Sequence, residues 1–398
     1  MGFFGRKRAP SVPHPRKEPR FDGPLTLERL EQIFQDCVDF TKRPVSLGEG
    51  GACTLTLCYL SGMVKMERVS DYVLRPLAQD EALARCGTPR QAMDRMKDGA
   101  LYNLSAEERT RLDAAVFDLV NGCCLLLFPW ESSVLSLNVG TEEKRSISSP
   151  SNETVLKGSR DAFVESLRTN TSIVRRHLKA PELRIREQVV GRQSVTSVDI
   201  LYIEGLTNPH LVEQVAAQLA DIDIDAVLAT GNIEEYIVPA ARTAFPLVQY
   251  TERSDRFCAG LAEGRVGILI DGLPLGYLAP GVLGDFLQAP QDKSESWLLA
   301  SALTLLRYLC MLGTLLLPAL YVAMVTFHQE MIPTRLALSI IAAKQDVPFR
   351  SVFEVIVLLL AFEILQEAGL RLPQSIGQTV SIIGGLVVGS AAVEAKII

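Results

Sequence analysis

Histidine is scarce in this chain: His14, His177, His210 and His328 are the only four in 398 residues. That leaves little material for general acid–base catalysis. There is no glycine-rich phosphate loop, no HExxH and no serine nucleophile elbow, so the common hydrolytic and nucleotide-dependent sites are excluded. The eight cysteines include no CxxC and no zinc-type spacing. Cys123 and Cys124 are adjacent in the strand-like "CCLLLFP", where they point to opposite faces, and they read as reduced core residues rather than metal ligands or a disulfide frame. No catalytic, metal or cofactor site is expected. The opening "MGFFGRKRAPSVPHPRKEPRFDGP" is basic but has no apolar segment behind it, so no secretory signal is read and the front region is expected to be cytoplasmic.

Basic charge is not in excess either. The formal net charge is −6, and from Trp297 onward six basic residues balance six acidic ones. The imbalance therefore lies in the first 296 residues, with 34 basic against 40 acidic, which is the composition of an ordinary soluble region. No nucleic-acid partner is expected, since that would call for a basic face.

What is present falls into two kinds of pattern. Residues 1–24 form a basic, proline-rich tail expected to be disordered. "LTLERLEQIFQDCVDF" then places Leu27, Leu30, Ile33, Phe34 and Val38 at helical spacing behind Thr26 as a cap. "CTLTLCYL" at 53–60 alternates as a strand and leads through a turn into a helix.

A related unit returns 143 residues later. "TLCYLSGMVKMERV" aligns with "DILYIEGLTNPHLV", pairing Tyr59 with Tyr202, Gly62 with Gly205 and Val69 with Val212. At nearly the same offset "GCCLLLFPWESSVLSLNV" (122–139) matches "GRVGILIDGLPLGYLAP" (264–280), each a buried strand, a turn and a second strand. Two echoes at one spacing point to two related α/β subdomains in tandem, at 25–150 and 182–292. Between them, in a segment at 151–181, "SRDAFVESLRTNTSIVRRHL" reads as an amphipathic helix with a basic C-terminal portion. Its polar side either faces water or meets a partner or anionic headgroups. Asn152 and Asn170 fall in glycosylation-like triplets that a cytoplasmic chain would not use. "DIDID" at 221–225 reads as a turn and strand edge rather than a cation site.

Residues 293–398 are different. "WLLASALTLLRYLCMLGTLLLPALYVAMVTF" runs 31 residues, which as a helix is about 46 Å against a hydrocarbon core of about 30 Å. It can span with tilt, Pro318 offers a kink, and Arg307 either snorkels to a headgroup or finds an interhelical partner. "HQEMIPTRLALSIIAAKQDVPF" is too polar to span; Pro333 can start a short interfacial helix with Leu336, Ile340 and Ala343 on one face. The next segment holds Glu354, Glu363 and Glu367, which should face other helices or water, either paired with Arg371 or Arg307 or serving ion passage. Finally "GQTVSIIGGLVVGSAA" puts Gln378, Ser381, Gly385, Gly389 and Ala392 on one side of a helix and Thr379, Ile383, Leu386 and Val387 on the other. Such a small, polar stripe either packs against another helix, through the GxxxG of Gly385 and Gly389, or lines a pore between several copies. The expected architecture is an α/β region of two tandem related subdomains followed by an all-α polytopic membrane domain.

Four stretches carry a resemblance: "SLRTNTSIVRRHLKAPELRI", "LPALYVAMVTFHQEMIPTRL", "RLPQSIGQTVSIIGGLVVGSAAVEA" and "DGLPLGYLAP". They resemble the GerA family, the A-type subunits of spore germinant receptors and related stage-five sporulation membrane proteins. The resemblance implies a cytoplasmic α/β region and a helical domain in the inner membrane of a bacterial spore. It also implies homo-oligomeric rings, pentamers in the family picture, forming ligand-gated cation channels with a transporter-like B-type subunit and a C-type lipoprotein. The family's pore helix falls on Gln378–Gly389, which makes Gln378, Thr379, Ser381, Ile382, Gly385, Val388 and Gly389 the pore-lining candidates; Arg307, Glu354, Glu363 and Glu367 are the intramembrane charge candidates. Family chains continue past the equivalent of Ile398 with further hydrophobic helices, so a fragment or a truncated protein is expected. The rival readings are an accessory sporulation-type channel subunit acting with dipicolinate release, and a non-conducting membrane scaffold.

Overall fold

The computed structural model describes residues 21–47, 54–84, 86, 88–101, 106–129, 131–140, 161–227, 235–237, 245–288, 292, 295–345, 349–371 and 390. The chain divides into two compact units, Met1–Ser294 and Glu295–Ile398. The first unit holds two five-stranded sheets in which every ladder is antiparallel.

Helix α1 (Leu27–Ile33) begins where Thr26 accepts the Arg29 amide on Oγ1 at 3.3 Å. It is shorter than the hydrophobic spacing predicts. Asp36 turns into the left-handed region (φ 58°), and the following residues leave the helix to hydrogen-bond elsewhere in the unit, so Val38 ends exposed. The first sheet comprises β1 (Phe40–Ser46), β2 (Thr54–Leu60), β3 (Ala106–Arg109), β4 (Cys123–Leu127) and β5 (Val134–Asn138), in the order β1-β2-β4-β5-β3. Alternation along β2 sends Leu55, Leu57 and Tyr59 to one core and Cys58 and Leu60 to another. The first core is closed by helical segments between β2 and β3 through Val69, Val73, Leu77 and Met93. The second is closed by α1 and α2 (Leu112–Val120). Cys124 lies in the first of these cores, while neighbouring Leu125 lies in the second.

The second sheet repeats this plan. It comprises β6 (Leu183–Val190), β7 (Thr196–Ile203), β8 (Gln249–Thr251), β9 (Val266–Ile270) and β10 (Gly276–Ala279), in the order β6-β7-β9-β10-β8. Counted within each sheet, the two orders are the same. Helix α3 (Leu167–His177) and helix α5 (Ser254–Ala262) cover one face, and α4 (Pro209–Ala220) covers the other.

The echoed residues sit at equivalent places. Tyr59 and Tyr202 lie near the ends of the second strands, and Val69 and Val212 are buried in the helices that follow. Gly122 and Gly264 both take φ +88° as they enter the fourth strands. A Cβ at Gly122 would stand 2.7 Å from the Met63 carbonyl oxygen, and one at Gly264 would stand 3.1 Å from that of Leu206. Only glycine combines that φ with so close a backbone approach.

Two expectations change. Residues 161–166 are not helical: Ala162 forms an antiparallel bridge with Arg253, and Phe163 donates its amide to the Glu252 carbonyl at 2.8 Å, so the chain runs beside the continuation of edge strand β8 before α3 starts. "DIDID" forms no strand edge; it is a loop whose Ile224 and Asp225 carbonyls accept the amides of Arg192, Gln193 and Ser194.

The second unit contains α6 (Trp297–Thr326), α7 (Thr334–Lys344) and α8 (Ser351–Arg371). Helix α6 runs 30 residues without a break through Pro318, with mean hydropathy 2.0 over its most apolar window. Among the described residues it is the one helix long and apolar enough to cross a membrane. Pro333 precedes α7, the short helix that its ring predicts.

Candidate functional site

One group of charged residues of the first unit gathers where its two sheets meet. Segment 33–39, which leaves α1, runs beside edge strand β6: Cys37 bridges Ile185 in parallel, Val38 donates to the Ile185 carbonyl (3.0 Å), and Ile185 donates to that of Asp36 (3.1 Å). Three arginines clamp this seam. Arg175 of α3 is 1% exposed and grips Asp39 with a fork, Nε to Oδ2 at 2.8 Å and Nη2 to Oδ1 at 3.0 Å. It also donates to the Ala180 carbonyl at 3.3 Å. Arg184 of β6 donates to the Ile33 carbonyl and to Glu204. Arg186 donates to Asp36 (3.0 Å) and to Glu213 (2.7 Å), and its guanidinium stands over the Tyr202 ring at 5.5 Å.

The basic portion of α3 therefore turns partly inward, because Arg175 is buried against a carboxylate of the segment that leads into β1. Asn170 is likewise fully buried, exchanging two hydrogen bonds with the Val164 backbone at 2.8 and 2.6 Å. Asn152 lies outside the described residues.

Beside the seam lies a second charged group. Asp199 of β7 is fully buried and stands directly opposite Glu187 in the ladder. Its Oδ2 accepts from Thr171 Oγ1 at 3.0 Å and lies 3.4 Å from Arg168, which also holds Glu187 at 2.7 Å. Among the described residues Asp199 Oδ1 accepts no hydrogen bond. Burial pushes this carboxyl up to about 6, against the opposing pull of Arg168 and Thr171.

In the second unit Arg307 is half-buried on α6, and Glu363 and Glu367 are exposed on α8. Half-buried Glu354 lies 3.4 Å from Lys344 Nζ. Lys344 also donates to Ser351 Oγ at 2.5 Å and stands over the Tyr321 ring at 5.5 Å. Lys344, the last residue of α7, is a partner that hydropathy did not single out. Gln378, Thr379, Ser381, Ile382, Gly385, Val388 and Gly389 lie outside the described residues. Among the described residues no cluster of three or more His, Cys, Asp or Glu could hold a metal.

The first unit thus holds two sheets of one topology joined at the buried Arg175–Asp39 pair, and the second holds one helix long and apolar enough to cross a membrane. The Bacillus/Clostridium GerA spore germination protein model matches residues 28–398. The chain is 36% identical over 372 residues to the uncharacterized membrane protein YfkQ of Bacillus subtilis, spanning 94% of this chain and 71% of that protein. It is 36% identical to spore germination protein KA of Bacillus subtilis over 90% of this chain and 65% of the relative, and 35% identical to GerLA of Bacillus cereus over 90% and 72%. The first unit resembles the crystal structure of the N-terminal domain of the A subunit of the Bacillus megaterium spore germinant receptor GerK3, at 26% identity and a TM-score of 0.52, covering 66% of this chain and 99% of that one. The chain belongs to the GerA family of spore germination proteins.

Proposed function

We propose that the chain is the A-type subunit of a spore germinant receptor, an oligomeric membrane channel that releases monovalent cations when a germinant arrives. The reading places it in the spore inner membrane with its first unit in the cytoplasm, as a ring of identical copies, five in the family picture, beside a B-type transporter-like subunit and a C-type lipoprotein. Its helical domain would be polytopic, with α6 as one span. The observation that carries this reading is the family match from residue 28 to 398, which includes the small, polar stripe after Arg371. The relatives KA and GerLA carry spore germination names, and the structural neighbour is a receptor A subunit.

In this reading the stripe Gln378–Gly389 faces the ring axis, since lipid does not solvate its polar and backbone groups. The first unit acts as a coupled pair of subdomains, which its buried arginine clamps suit. The test is potassium release from proteoliposomes carrying the receptor, with Gly385→Leu and Val388→Asn. Gly385→Leu should block release and Val388→Asn should make it constitutive. Unaltered release in both variants would sink the pore assignment, and intact oligomers that never conduct would favour a scaffold.

A further inference from the structure

Where α6 ends, the second unit contains a groove of about 630 Å³ between the end of that helix, α7 and the start of α8. Its walls are apolar and include Val325, Ile332, Ile340 and Ile341. Both charged residues that line it, Lys344 and Arg350, are basic. Lys344 is fixed by Ser351, Glu354 and the Tyr321 ring, so its cation is held at the groove rather than swung into solvent. Arg350 is exposed and, among the described residues, makes no ion pair. The volume lies in the range of ligand clefts, about 300–1,000 Å³.

From this pairing we infer that the groove binds an anionic phospholipid, with the headgroup phosphate between Lys344 and Arg350 and the upper acyl chain along the isoleucine wall. The inference rests on the membrane reading given above. Charge complementarity selects an anion, because among the described residues no acidic side chain lines the groove and Arg350 adds a positive charge beside the Lys344–Glu354 pair. The apolar wall selects a lipid, because a soluble phosphate would leave Val325, Ile332 and Ile340 without a partner. The position agrees: the groove starts where the apolar span stops, which is the depth at which headgroups lie when α6 crosses a bilayer. An arginine supplies a planar fork for phosphate, and a lysine supplies a point charge.

The test uses the full chain in phosphatidylcholine nanodiscs doped with phosphatidylglycerol, followed by detergent extraction and native mass spectrometry of retained lipid. The readout is the ratio of phosphatidylglycerol to phosphatidylcholine retained, which a general loss of folding does not imitate. Wild-type protein should retain phosphatidylglycerol preferentially, and Arg350→Gln and Lys344→Gln should each lower the preference about fivefold. Arg335→Gln, on the same α7 but outside the groove, should leave it within twofold. An equal loss with Arg335→Gln would mean diffuse surface charge and overturn the site. Displacement of the lipid by inorganic phosphate would assign the groove to a soluble anion, and no preference in the wild type would end the proposal. Potassium release from proteoliposomes carrying the same proteins separates the two readings, since headgroup preference without conductance removes the channel and conductance without preference removes the groove.

Discussion

The Arg175–Asp39 clamp makes a sharp prediction. Both side chains are almost inaccessible, at 1% and 3% exposure, and they meet through two parallel hydrogen bonds across 136 residues of sequence. Arg175→Met removes the cation but keeps most of the volume, so the dominant effect is an uncompensated buried carboxylate on the far side of the seam. Breaking such a pair from one side costs about 3–5 kcal/mol, whereas replacing both partners with apolar groups is often near neutral. The seam should therefore open far more often in Arg175→Met, and the Arg175→Met/Asp39→Leu double variant should recover most of the loss. Hydrogen exchange reads this directly through the Val38 and Ile185 amides, which bond across the seam. If the seam opens as one subglobal unit, these amides exchange about 10²- to 10⁴-fold faster in the single variant. Acceleration of less than about fivefold, or a double variant that exchanges as fast as the single one, would refute the claim that this ion pair holds the two halves together.

Asp199 should give the first unit an acid-stabilised component. Its carboxyl is raised in the folded state from 3.8 to about 6, so its contribution is fully present below about pH 4 and is lost as pH rises through 6. Asp199→Asn should therefore be more stable than wild type at pH 7.5, by up to about 3 kcal/mol, with the difference vanishing near pH 4. Denaturant titrations of both proteins across that range check it, and a pH-independent difference would refute it. Gly122→Ala should destabilise more than Gly272→Ala. Both residues have positive φ, so both alanines carry about 1–2 kcal/mol of left-handed strain, but only at Gly122 does the new Cβ also meet a carbonyl oxygen at 2.7 Å. Equal midpoints in urea would count against that clash.

Much of the framework was legible in the residue order. Period-two alternation in "CTLTLCYL" places β2, because a sheet covered by helices on both faces must send neighbouring side chains to different cores. The 31-residue apolar run announces α6, and the spaced echo of Tyr59, Gly62 and Gly122 marks a repeated plan, because the same turn needs the same backbone freedom wherever it recurs. These signals are local, and local chemistry is what a linear pattern records. The seam was not legible in this way. Arg175 reads as an ordinary basic residue of an amphipathic helix, and Arg184 and Arg186 stand out in no pattern, until β6 is set beside segment 33–39, which brings Asp39, Ile33 and Asp36 within reach from 136, 151 and 150 residues away. Nor does composition separate a lysine facing water from one held over a tyrosine ring beside an apolar groove, as Lys344 is. Sequence alone determined which faces had to be hidden and how far an apolar helix could run. Which charges meet was decided by the tertiary structure, because burial makes an ion pair costly to break only after the two edges have been brought together and water has been expelled from between them.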